Sequence, residues 1–493
     1  MVVDELKYQI LQQFGFPPTA EQNHAIDVFT EFLASRDSHS VMILRGSAGT
    51  GKTALAGAIV GAMKQLRQKV MLLAPTGRAA KVFALNSGNA AYTIHRRIYR
   101  EKSYQGIDGQ FSLNDNMYRD TLFMVDEASM ISDSMSDQQG GAAFGSGSLL
   151  DDLVHFVYQG ANDRMVLIGD KAQLPPVGAE ESPALNADMM AGYGLTVYEC
   201  DLTEVVRQGD GSGILYNATA LRNLDFDELI CSGEEEVLPK VKFAGFDDIV
   251  NMPGNELIEA LAGSYSRVGL DETMVVTRSN KRANIYNQGI RNTVLGREDE
   301  LCVGDMVMIV KNNYYWVEQD RAQCKDDAEA LAAIPSFLAN GDRAEVRRVR
   351  NIRQLYGFRF ADVTLRFPDY DGWELDATVI LDTLVAEAPS LNYEQQQLLY
   401  NKVMEDYADI PLKADRMKHL RQDVYFNALQ IKFAYAVTCH KAQGGQWAHV
   451  YVDQGYMTDD MFSPDYLHWM YTAFTRATEK LYLVNWPKQQ TME

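Results

Sequence analysis

The stretch "GSAGTGKT", residues 46–53, decides the fold. It fits the spacing G-x-x-x-x-G-K-[ST], whose fixed positions are Gly46, Gly51, Lys52 and Thr53. The glycines let backbone N–H groups turn inward around phosphate oxygens, which the N-terminus of a following helix also attracts. An apolar strand pattern, "VMILRG" (41–46), precedes the loop, and the helical pattern "ALAGAIVGAM" follows it. This context is the one that a phosphate-binding loop requires.

Bulk composition places the chain among ordinary globular proteins. It has 493 residues, a net charge of −21, 46% hydrophobic residues and 23% charged residues. This length predicts about two to four domains. No apolar run approaches the roughly 18 residues of a membrane span, and acids stand where a signal peptide would be basic. The five cysteines are scattered without a CxxC pair. We therefore expect a cytoplasmic protein without membrane contact.

The order of apolar runs predicts an α/β protein with two parallel-sheet blocks. Strand-like runs alternate with helical patterns in both blocks. The runs of the first block are "VMILRG" (41–46), "VMLLAP" (70–75), "TLFMVDE" (121–127) and "RMVLIGD" (164–170), and those of the second are "MVVTRS" (274–279), "FAYAVT" (433–438), "HVYVD" (449–453) and "KLYLVNW" (480–486). Between residues 304 and 426 the pattern changes to short, antiparallel-looking strands and a polar helical stretch. The predicted first domain covers 1–200, with an inserted hairpin at 96–120. The second domain covers 201–303 plus 427–493, and 304–426 is inserted into it as a small β domain with a helical extension.

The phosphate loop and an acidic pair predict a site for ATP and Mg²⁺. The candidate nucleotide contacts are Gly46, Ala48, Gly49, Thr50, Gly51, Lys52 and Thr53. Lys52 would neutralise the β- and γ-phosphates, while Thr53 and Asp126 would hold Mg²⁺. Glu127, the next residue, would orient or deprotonate the attacking water. The alternative interpretation is a glycine-rich turn and an unrelated acidic strand end.

Gln22 has two interpretations. Its carboxamide could pair with both polar edges of adenine and so contribute to nucleotide binding. The tetrapeptide "TAEQ" (19–22) is equally a capping box, in which Gln22 caps the start of a helix.

Further stretches occur in an order known from one family. They are "APTGRAAK" (74–81), "TIHR" (93–96), "GDKAQLPPVG" (169–178), "LTEVVRQ" (202–208), "VTCHKAQGGQW" (437–447) and "YTAFTRA" (471–477). With the loop and the acidic pair, they resemble the motifs of superfamily 1 helicases, in the 5′→3′ branch typified by RecD and the phage Dda helicase. The resemblance runs from about residue 16 to 486. It implies two RecA-like P-loop NTPase domains, with an SH3-like β-barrel at 304–426.

The resemblance also assigns residues that respond to the γ-phosphate. Gln173 would sense it, and Pro175 would pass its position to the DNA path. Arg207 and Arg476 would act as paired arginine fingers that steady transition-state charge. A solvated turn around Gln173 and a surface arginine in "FTRA" are the ordinary alternatives.

By the same resemblance, a nucleic-acid path crosses both blocks. Its candidate residues are Pro75, Thr76, Arg78, His95, Thr438, His440 and Lys441. Hydroxyls, amides and a few cations would hold phosphates without reading sequence. For His95 and His440 the alternative is a packed side chain. The acidic net charge disfavours broad coating of nucleic acid but permits a narrow basic channel.

The segment "QGIDGQ" (105–110) reads as a hairpin turn. In the resembled branch a hairpin here splits the duplex, so Phe111 or a neighbour is the candidate wedge. An exposed hairpin with one packed aromatic residue is the alternative. Gln446 departs from the branch, which more often has an acidic residue or threonine at that position.

These features predict an ATP- and Mg²⁺-dependent DNA helicase that moves 5′→3′ on single-stranded DNA and opens duplex junctions. We expect a monomer, with repair or recombination proteins as candidate partners. One alternative is a DNA-stimulated ATPase subunit or remodeller with little unwinding of its own. Another is a P-loop kinase or other phosphotransferase, whose turnover would be indifferent to DNA.

Overall fold

The first lobe is a parallel β-sheet with helices on both faces. The computed structural model describes residues 3–105, 108–134, 143–206, 211–224, 238–324, 331, 334–335, 337–457 and 463–492, with the backbone alone at 101–105, 108–111 and 143–144. The helices of this lobe are α1 (Val3–Phe14), α2 (Ala20–Ala34), α3 (Lys52–Gln65), α4 (Gly77–Ser87), α5 (Ile94–Ile98), α6 (Leu149–Gln159) and α7 (Ala187–Gly192). The strands are β1 (Ser40–Gly46), β2 (Lys69–Ala74), β3 (Ala91–Thr93), β4 (Tyr99–Gln105), β5 (Asp108–Leu113), β6 (Thr121–Val125), β7 (Ala143–Phe144), β8 (Arg164–Gly169) and β9 (Thr196–Leu202).

The main sheet of this lobe has the strand order β3-β2-β6-β8-β1-β9, with all neighbours parallel. Strand β1 is buried along its whole length. Its side chains alternate between two cores: Met42 and Leu44 pack with α1, α2 and α3, whereas Val41 and Ile43 pack with α6. Burial on both faces explains the continuous apolar run. The residues that follow β1, β6 and β8 therefore meet at one edge of the sheet.

A β-hairpin interrupts the first lobe after α5. Strands β4 and β5 pair antiparallel from Tyr99 opposite Leu113 to Gln105 opposite Asp108, and β7 joins β5 in parallel. The hairpin lies within the predicted insertion 96–120. The side chain of Phe111 is outside the described part of the structure, so the proposed wedge stays a prediction.

The second lobe begins with α8 (Gly213–Arg222), β10 (Val241–Lys242), β11 (Ile249–Met252), α9 (Leu257–Arg267), β12 (Thr273–Thr277) and α10 (Asn280–Gly289). A π-helical turn, Ile290–Val294, follows α10. The chain then enters the insertion, whose elements are β13 (Met306–Ile309), α11 (Tyr315–Gln323), β14 (Arg343–Leu355), β15 (Phe358–Phe367), β16 (Trp373–Ile380), α12 (Tyr393–Asp406), α13 (Lys413–Arg421) and β17 (Leu429–Phe433).

The insertion is a closed five-stranded barrel in the order β13-β14-β15-β16-β17. Its last strand lies beyond the predicted boundary at residue 426, so that boundary was placed too early. The reason is pairing: β17 is antiparallel to β13, with Val307 opposite Phe433, and parallel to β16, with Val379 opposite Leu429. The apolar run that suggested one strand at 433–438 is thus divided between the barrel and the second lobe. The predicted end of the first domain at residue 200 was likewise early, because β9 continues to Leu202.

After the barrel the second lobe is completed by β18 (Ala436–Thr438), α14 (Cys439–Ala442), β19 (Trp447–Asp453), α15 (Pro464–Phe474), β20 (Ala477–Val484) and β21 (Thr491–Met492). Its sheet has the order β11-β20-β19-β12-β18 and is parallel throughout. Buried residues of this lobe and of the barrel form one continuous core. In the part of the chain that the structure describes, no helix combines the length and apolar character needed to cross a membrane.

Candidate nucleotide site and nucleic-acid path

The phosphate loop connects β1 to α3 and depends on Gly51. This residue has φ +87° and stands immediately before the helix, a left-handed conformation that favours glycine. A Cβ atom at this position would lie 2.6 Å from Nε2 of Gln22. Both the backbone conformation and the close neighbour therefore disfavour a side chain here.

Gln22 holds the loop from the side and caps α2. Its backbone N–H donates to the Thr19 hydroxyl, while its Oε1 accepts the Thr19 N–H at 3.0 Å. The capping-box interpretation is therefore confirmed. Its Nε2 donates to the Thr50 carbonyl oxygen at 3.0 Å, so both ends of the buried carboxamide are engaged. The adenine contact stays a prediction.

The Lys52 ammonium is folded into the mouth of the loop. It donates to the carbonyl oxygens of Gly46 and Ser47, the latter at 2.9 Å, and lies 4.0 Å from the Asp170 carboxylate. Bound phosphates would replace these carbonyl contacts with full negative charges. The ammonium therefore lies at the mouth of the loop, beside the expected position of the β- and γ-phosphates.

The acidic pair stands at the end of β6. The Asp126 carboxylate accepts the Glu127 N–H at 2.9 Å, and Glu127 itself has a left-handed backbone, with φ +52°. Burial raises the pKa of Asp126 to about 7, the Glu127 charge adds to this effect, and Lys52 opposes it.

This acidic pair fits a divalent cation. Among the described residues, neither Asp126 nor Glu127 forms an ion pair with a lysine or arginine. The Thr53 hydroxyl is exposed on the first turn of α3. No cluster of three or more metal-ligating side chains occurs in the described part of the chain. Mg²⁺ suits such a site because it commonly takes one or two protein oxygens together with waters and phosphates.

Two side chains of the second lobe reach into the phosphate loop. The Tyr471 hydroxyl, on α15, accepts the Ala48 N–H at 2.8 Å and donates to the Asp170 carboxylate at 2.7 Å. Arg222, at the end of α8, donates to the Ser47 hydroxyl and to the Thr203 carbonyl oxygen. Sequence reasoning missed both residues. Tyr471 opens the quoted segment "YTAFTRA", so the available signal was its place in that motif.

Helix α15 also grips the loop that follows β8. Nδ1 of His468 donates to the Ala172 carbonyl oxygen at 2.9 Å, and the Thr472 hydroxyl accepts the Leu174 N–H at 2.8 Å. Gln443 donates to the Leu174 carbonyl oxygen at 2.7 Å. We call residues 170–174 the clasped loop. Side chains of the second lobe form hydrogen bonds with its backbone at Ala172 and Leu174 and with the carboxylate of Asp170.

Within the clasped loop, Gln173 is buried and its Oε1 has no hydrogen-bond partner among the described residues. It can therefore accept a hydrogen bond from water or from another donor at the seam. Pro175, directly after the loop, is also buried. Their roles in sensing the γ-phosphate and transmitting its position stay predictions.

Arg476 is buried, and its side-chain hydrogen bonds to described residues all lie within the second lobe. Its guanidinium donates to the carbonyl oxygens of Thr472 at 2.9 Å and Gly445 at 3.1 Å, and to the Thr475 hydroxyl at 3.1 Å. A role as arginine finger would require these bonds to be exchanged when nucleotide binds. Arg207 lies outside the described residues. The finger roles of both arginines stay predictions.

The candidate nucleic-acid residues of the two lobes meet at the start of α4. Thr76 caps this helix by accepting the Ala79 N–H at 3.2 Å. Arg78 donates to the Gln446 carbonyl oxygen at 2.6 Å and lies over the Trp447 ring at 4.6 Å. A Cβ atom on Gly444 would stand 3.1 Å from the Thr76 hydroxyl oxygen. The quoted segments 74–81 and 437–447 are therefore in direct contact.

The remaining candidates lie at strand ends or first helical turns. Pro75 follows β2, Thr438 ends β18, and His440 and Lys441 lie on α14. Burial lowers the pKa values of His440 and Lys441. His95 packs near the Tyr99 ring, at 5.6 Å, and burial lowers its pKa to about 4. A neutral His95 can donate an N–H to a phosphate but adds no charge.

Comparison with known proteins matches both lobes to family models. Residues 19–233 match an AAA domain, and residues 433–484 match a UvrD-like helicase C-terminal domain. An uncharacterized protein of Methanocaldococcus jannaschii is 25% identical over 94% of this chain and 38% of that protein. The ATP-dependent RecD2 DNA helicase of Deinococcus radiodurans is 31% identical over 37% of this chain and 22% of that protein. This chain thus spans well under half the length of these two relatives.

Similar solved structures include the Pif1 helicase from Bacteroides in complex with ADP-AlF3 and ssDNA. The two sequences are 14% identical, the match covers 97% of this chain and 95% of the Pif1 chain, and the TM-score is 0.46. A structure titled for DNA unwinding at forked dsDNA by two coordinating Pif1 helicases is 15% identical, with the same coverage and a TM-score of 0.47.

The fold and the site define a P-loop NTPase in which two parallel-sheet lobes meet at the phosphate loop. The first lobe carries the loop and the acidic pair, and the second contributes Tyr471 and Arg222 to it. With its AAA and UvrD-like C-terminal matches, the chain resembles superfamily 1 helicases of the 5′→3′ RecD branch.

Proposed function

We propose that the chain is an ATP- and Mg²⁺-dependent DNA helicase that translocates 5′→3′ along single-stranded DNA and separates duplex strands. The observation that carries this proposal is the contact of Tyr471 with the phosphate loop. One hydroxyl from the second lobe bonds both the Ala48 N–H and the Asp170 carboxylate of the first lobe. Any ligand that rearranges the loop must therefore change how the lobes meet.

At the nucleotide, each residue has a role that its position supports. The loop amides and Lys52 bind the phosphates, and Glu127 orients the attacking water. Asp126 and Thr53 would hold Mg²⁺, which supplies charge neutralisation between the β- and γ-phosphates. Gln173 lies on the clasped loop, where its free Oε1 can accept a hydrogen bond from that water.

The same seam continues into the proposed strand path. The second-lobe side chains of α15 hold the clasped loop, and the contact between Arg78 and Gln446 lies where the candidate phosphate contacts of both lobes meet. A change in lobe position at the nucleotide would therefore also move the two halves of the path relative to each other. Such closure around a ligand is a two-state hinge. The 5′→3′ polarity and the Phe111 wedge rest on the family resemblance.

The first test is the ATPase rate of the purified chain with and without a short single-stranded oligonucleotide. We expect the oligonucleotide to raise the rate, and Lys52→Ala to abolish turnover because the phosphates lose their neutralising charge. Turnover that is indifferent to the oligonucleotide would overturn the motor proposal and favour a phosphotransferase.

The second test is strand displacement on duplexes with a 5′ or a 3′ single-stranded tail. We expect the 5′-tailed duplex to be opened, and opening of the 3′-tailed duplex alone would contradict the polarity. DNA-stimulated ATPase without any strand separation would support the alternative, a DNA-stimulated subunit of a larger assembly. The match covers 38% and 22% of the two longer relatives, which is why the alternative is tested as well.

A further inference from the structure

A turn of the barrel lies against the proposed strand path. The 3₁₀ turn Pro368–Tyr370 contacts the start of α4, where Lys81 donates to the Pro368 carbonyl oxygen at 2.7 Å. The Asp369 carboxylate lies 3.8 Å from the Arg78 guanidinium and 3.9 Å from the Lys81 ammonium. One acidic side chain therefore stands between two cations of α4, and one of these, Arg78, is a candidate phosphate contact.

The turn packs tightly onto the first residue of the helix. A Cβ atom on Gly77 would lie 2.6 Å from an Asp342 carboxylate oxygen and 2.9 Å from the Tyr370 hydroxyl. Asp342 accepts hydrogen bonds from the Tyr370 hydroxyl at 2.8 Å and from the Ala339 N–H at 2.7 Å. Side-chain oxygens of the barrel therefore occupy the space beside the Gly77 Cα while the turn is in place.

A buried arginine at the same junction is only partly hydrogen-bonded among the described residues. Arg343, on β14, is 4% exposed and donates to the Asp271 carbonyl oxygen at 3.1 Å. Its Nε and Nη2 have no partner among the described residues. Its guanidinium lies 5.9 Å from the Trp447 ring centroid, the ring that Arg78 also contacts. Burial lowers the pKa of Arg343 to about 10, and the nearby Arg78 charge adds to the effect.

Asp369 faces Arg78 and Lys81, and the Asp271 and Glu272 charges also act on Arg343, but none of these carboxylates accepts a hydrogen bond from Nε or Nη2 of Arg343. A buried N–H of a charged group without an acceptor is costly, and like charges close together add to that cost. An anion with several oxygens would satisfy these donors better than one carboxylate at about 4 Å. A backbone phosphate is such an anion.

We propose that the turn Pro368–Tyr370 is a latch on the strand path, in which Asp369 occupies the place of a backbone phosphate on Arg78 and Lys81. A single strand entering the path exchanges a phosphate for the Asp369 carboxylate, and release of the turn exposes Arg343 to the same phosphodiester chain. The ligand is the sugar–phosphate backbone of single-stranded nucleic acid, independent of base. This inference rests on the proposed function, because it assumes that the path over α4 carries a strand.

The test compares Asp369→Asn with Asp371→Asn in the full-length chain. Asp371 belongs to the adjoining turn, is exposed, has φ +52°, which asparagine also tolerates, and forms no ion pair among the described residues. Both variants remove one negative charge, so a general electrostatic gain cancels in the comparison. The measured quantity is the Kd for a fluorescent oligothymidine at fixed salt.

We expect Asp369→Asn to bind roughly three- to tenfold more tightly than Asp371→Asn, the range that loss of one or two partly exposed ion pairs allows. Equal affinities would overturn the latch. Weaker binding by Asp369→Asn would also overturn it, since the turn would then support the strand. Failure of the proposed function is a separate result, because wild-type ATPase would then ignore the oligonucleotide.

Arg343→Gln provides a second readout. Its loss should reduce the slope of log affinity against log salt by about 0.7, the contribution of one phosphate contact on a single strand. A cooperative melting transition, measured by circular dichroism, reports that this variant is folded. An unchanged salt slope in a folded Arg343→Gln protein would contradict the contact between Arg343 and phosphate.

Discussion

At the scale of single residues, Tyr471 is one of two second-lobe side chains that bond the phosphate loop. Its hydroxyl is both acceptor and donor across the seam, and it donates to the Asp170 carboxylate at 2.7 Å. The Lys52 ammonium lies 4.0 Å from the same carboxylate. Ala48, Asp170 and Tyr471 come from three distant parts of the chain. Their meeting depends on how the two separate sheets pack against each other.

Replacing Tyr471 with phenylalanine should lower the DNA-stimulated ATPase rate roughly tenfold. The Ala48 N–H loses its acceptor and Asp170 loses a donor, and unsatisfied buried groups cost about 1–3 kcal/mol each. Steady-state kinetics measures the effect. The control is Tyr466→Phe, which removes a buried hydroxyl of the same helix that bonds Gln454 and Gln490 within the second lobe. Equal losses in both variants would mean that the seam contact has no special role.

Replacing Gly51 with alanine should weaken nucleotide binding and lower the melting temperature. The left-handed backbone costs about 1–3 kcal/mol for a residue with a side chain, and the new Cβ would also meet Gln22. Gly88→Ala is the matched control, because Gly88 has φ +63° but open space around it. If the contact with Gln22 matters, Gly51→Ala loses more stability than Gly88→Ala. Adding Gln22→Ala should then recover part of the difference in melting temperature.

The sequence predicted the positions of those candidate residues that depend on a local pattern, whereas their roles toward ATP and Mg²⁺ stay predictions. The phosphate loop and Asp126 follow from a spacing and a strand end, and the structure has them at one edge of the first sheet. The contributions of Tyr471 and Arg222 could not be predicted in the same way, since each reaches a residue at least 175 positions away. Gln22 lies between these cases: its capping role was readable locally, whereas its bond to Thr50 was not.

At the scale of elements, α15 acts as the connector between the lobes. His468, Tyr471 and Thr472 are spaced i, i+3 and i+4, so they share one helix face, and all three contact the first lobe at or beside the clasped loop. The buried apolar side chains of the same helix, Trp469, Met470 and Phe474, belong to the core of the second lobe. The helix is therefore fixed to one lobe and hydrogen-bonded to the other.

Thr472→Val tests this connector with little change in side-chain shape. The buried Leu174 N–H would lose its acceptor, at a cost of about 1–3 kcal/mol, and the clasped loop would be held less firmly. We expect the ratio of DNA-stimulated to unstimulated ATPase to fall. Thr273→Val is the control: its hydroxyl bonds the Gly269 carbonyl oxygen inside the second lobe. A ratio that falls equally in the two variants would argue against coupling through α15.

Strand identity was easier to predict than strand membership. The buried runs at 41–46 and 164–170 became β1 and β8 because continuous apolar runs suit a sheet covered on both faces. The run at 433–438 was assigned to one sheet, yet the structure gives Phe433 to the barrel and Ala436 to the second lobe. The periodicity of the sequence cannot reveal this division, because the division depends on pairing with distant strands: β17 pairs with β13, and β18 pairs with β12.

At the scale of the whole molecule, the net charge of −21 and the proposed strand path are compatible because charge is unevenly distributed. Arg78, Lys81 and Arg343 gather at one junction of the two lobes and the barrel, and Asp369 partly neutralises them there. The acidic net charge would disfavour non-specific coating of nucleic acid, while this local basic lining would hold phosphates if the proposed strand path is correct. The sequence could indicate the charge and the motifs, but not that the barrel closes over α4.

Thermodynamic linkage gives the most general prediction. If the seam and the strand path move together, a non-hydrolysable ATP analogue must change the Kd for single-stranded DNA by the same factor by which DNA changes the Kd for the analogue. We expect this factor to be about fivefold or more, within the usual range of coupling free energies of 1–3 kcal/mol. Fluorescence titrations in both directions measure it independently. Thr472→Val should bring both factors closer to one by the same amount if the nucleotide affects the second lobe through the clasped loop, which Thr472 holds. If the ATP analogue and single-stranded DNA both bind tightly but leave each other's Kd unchanged, the two binding sites are independent. Closure of the lobes around ATP would then not be coupled to movement of the strand.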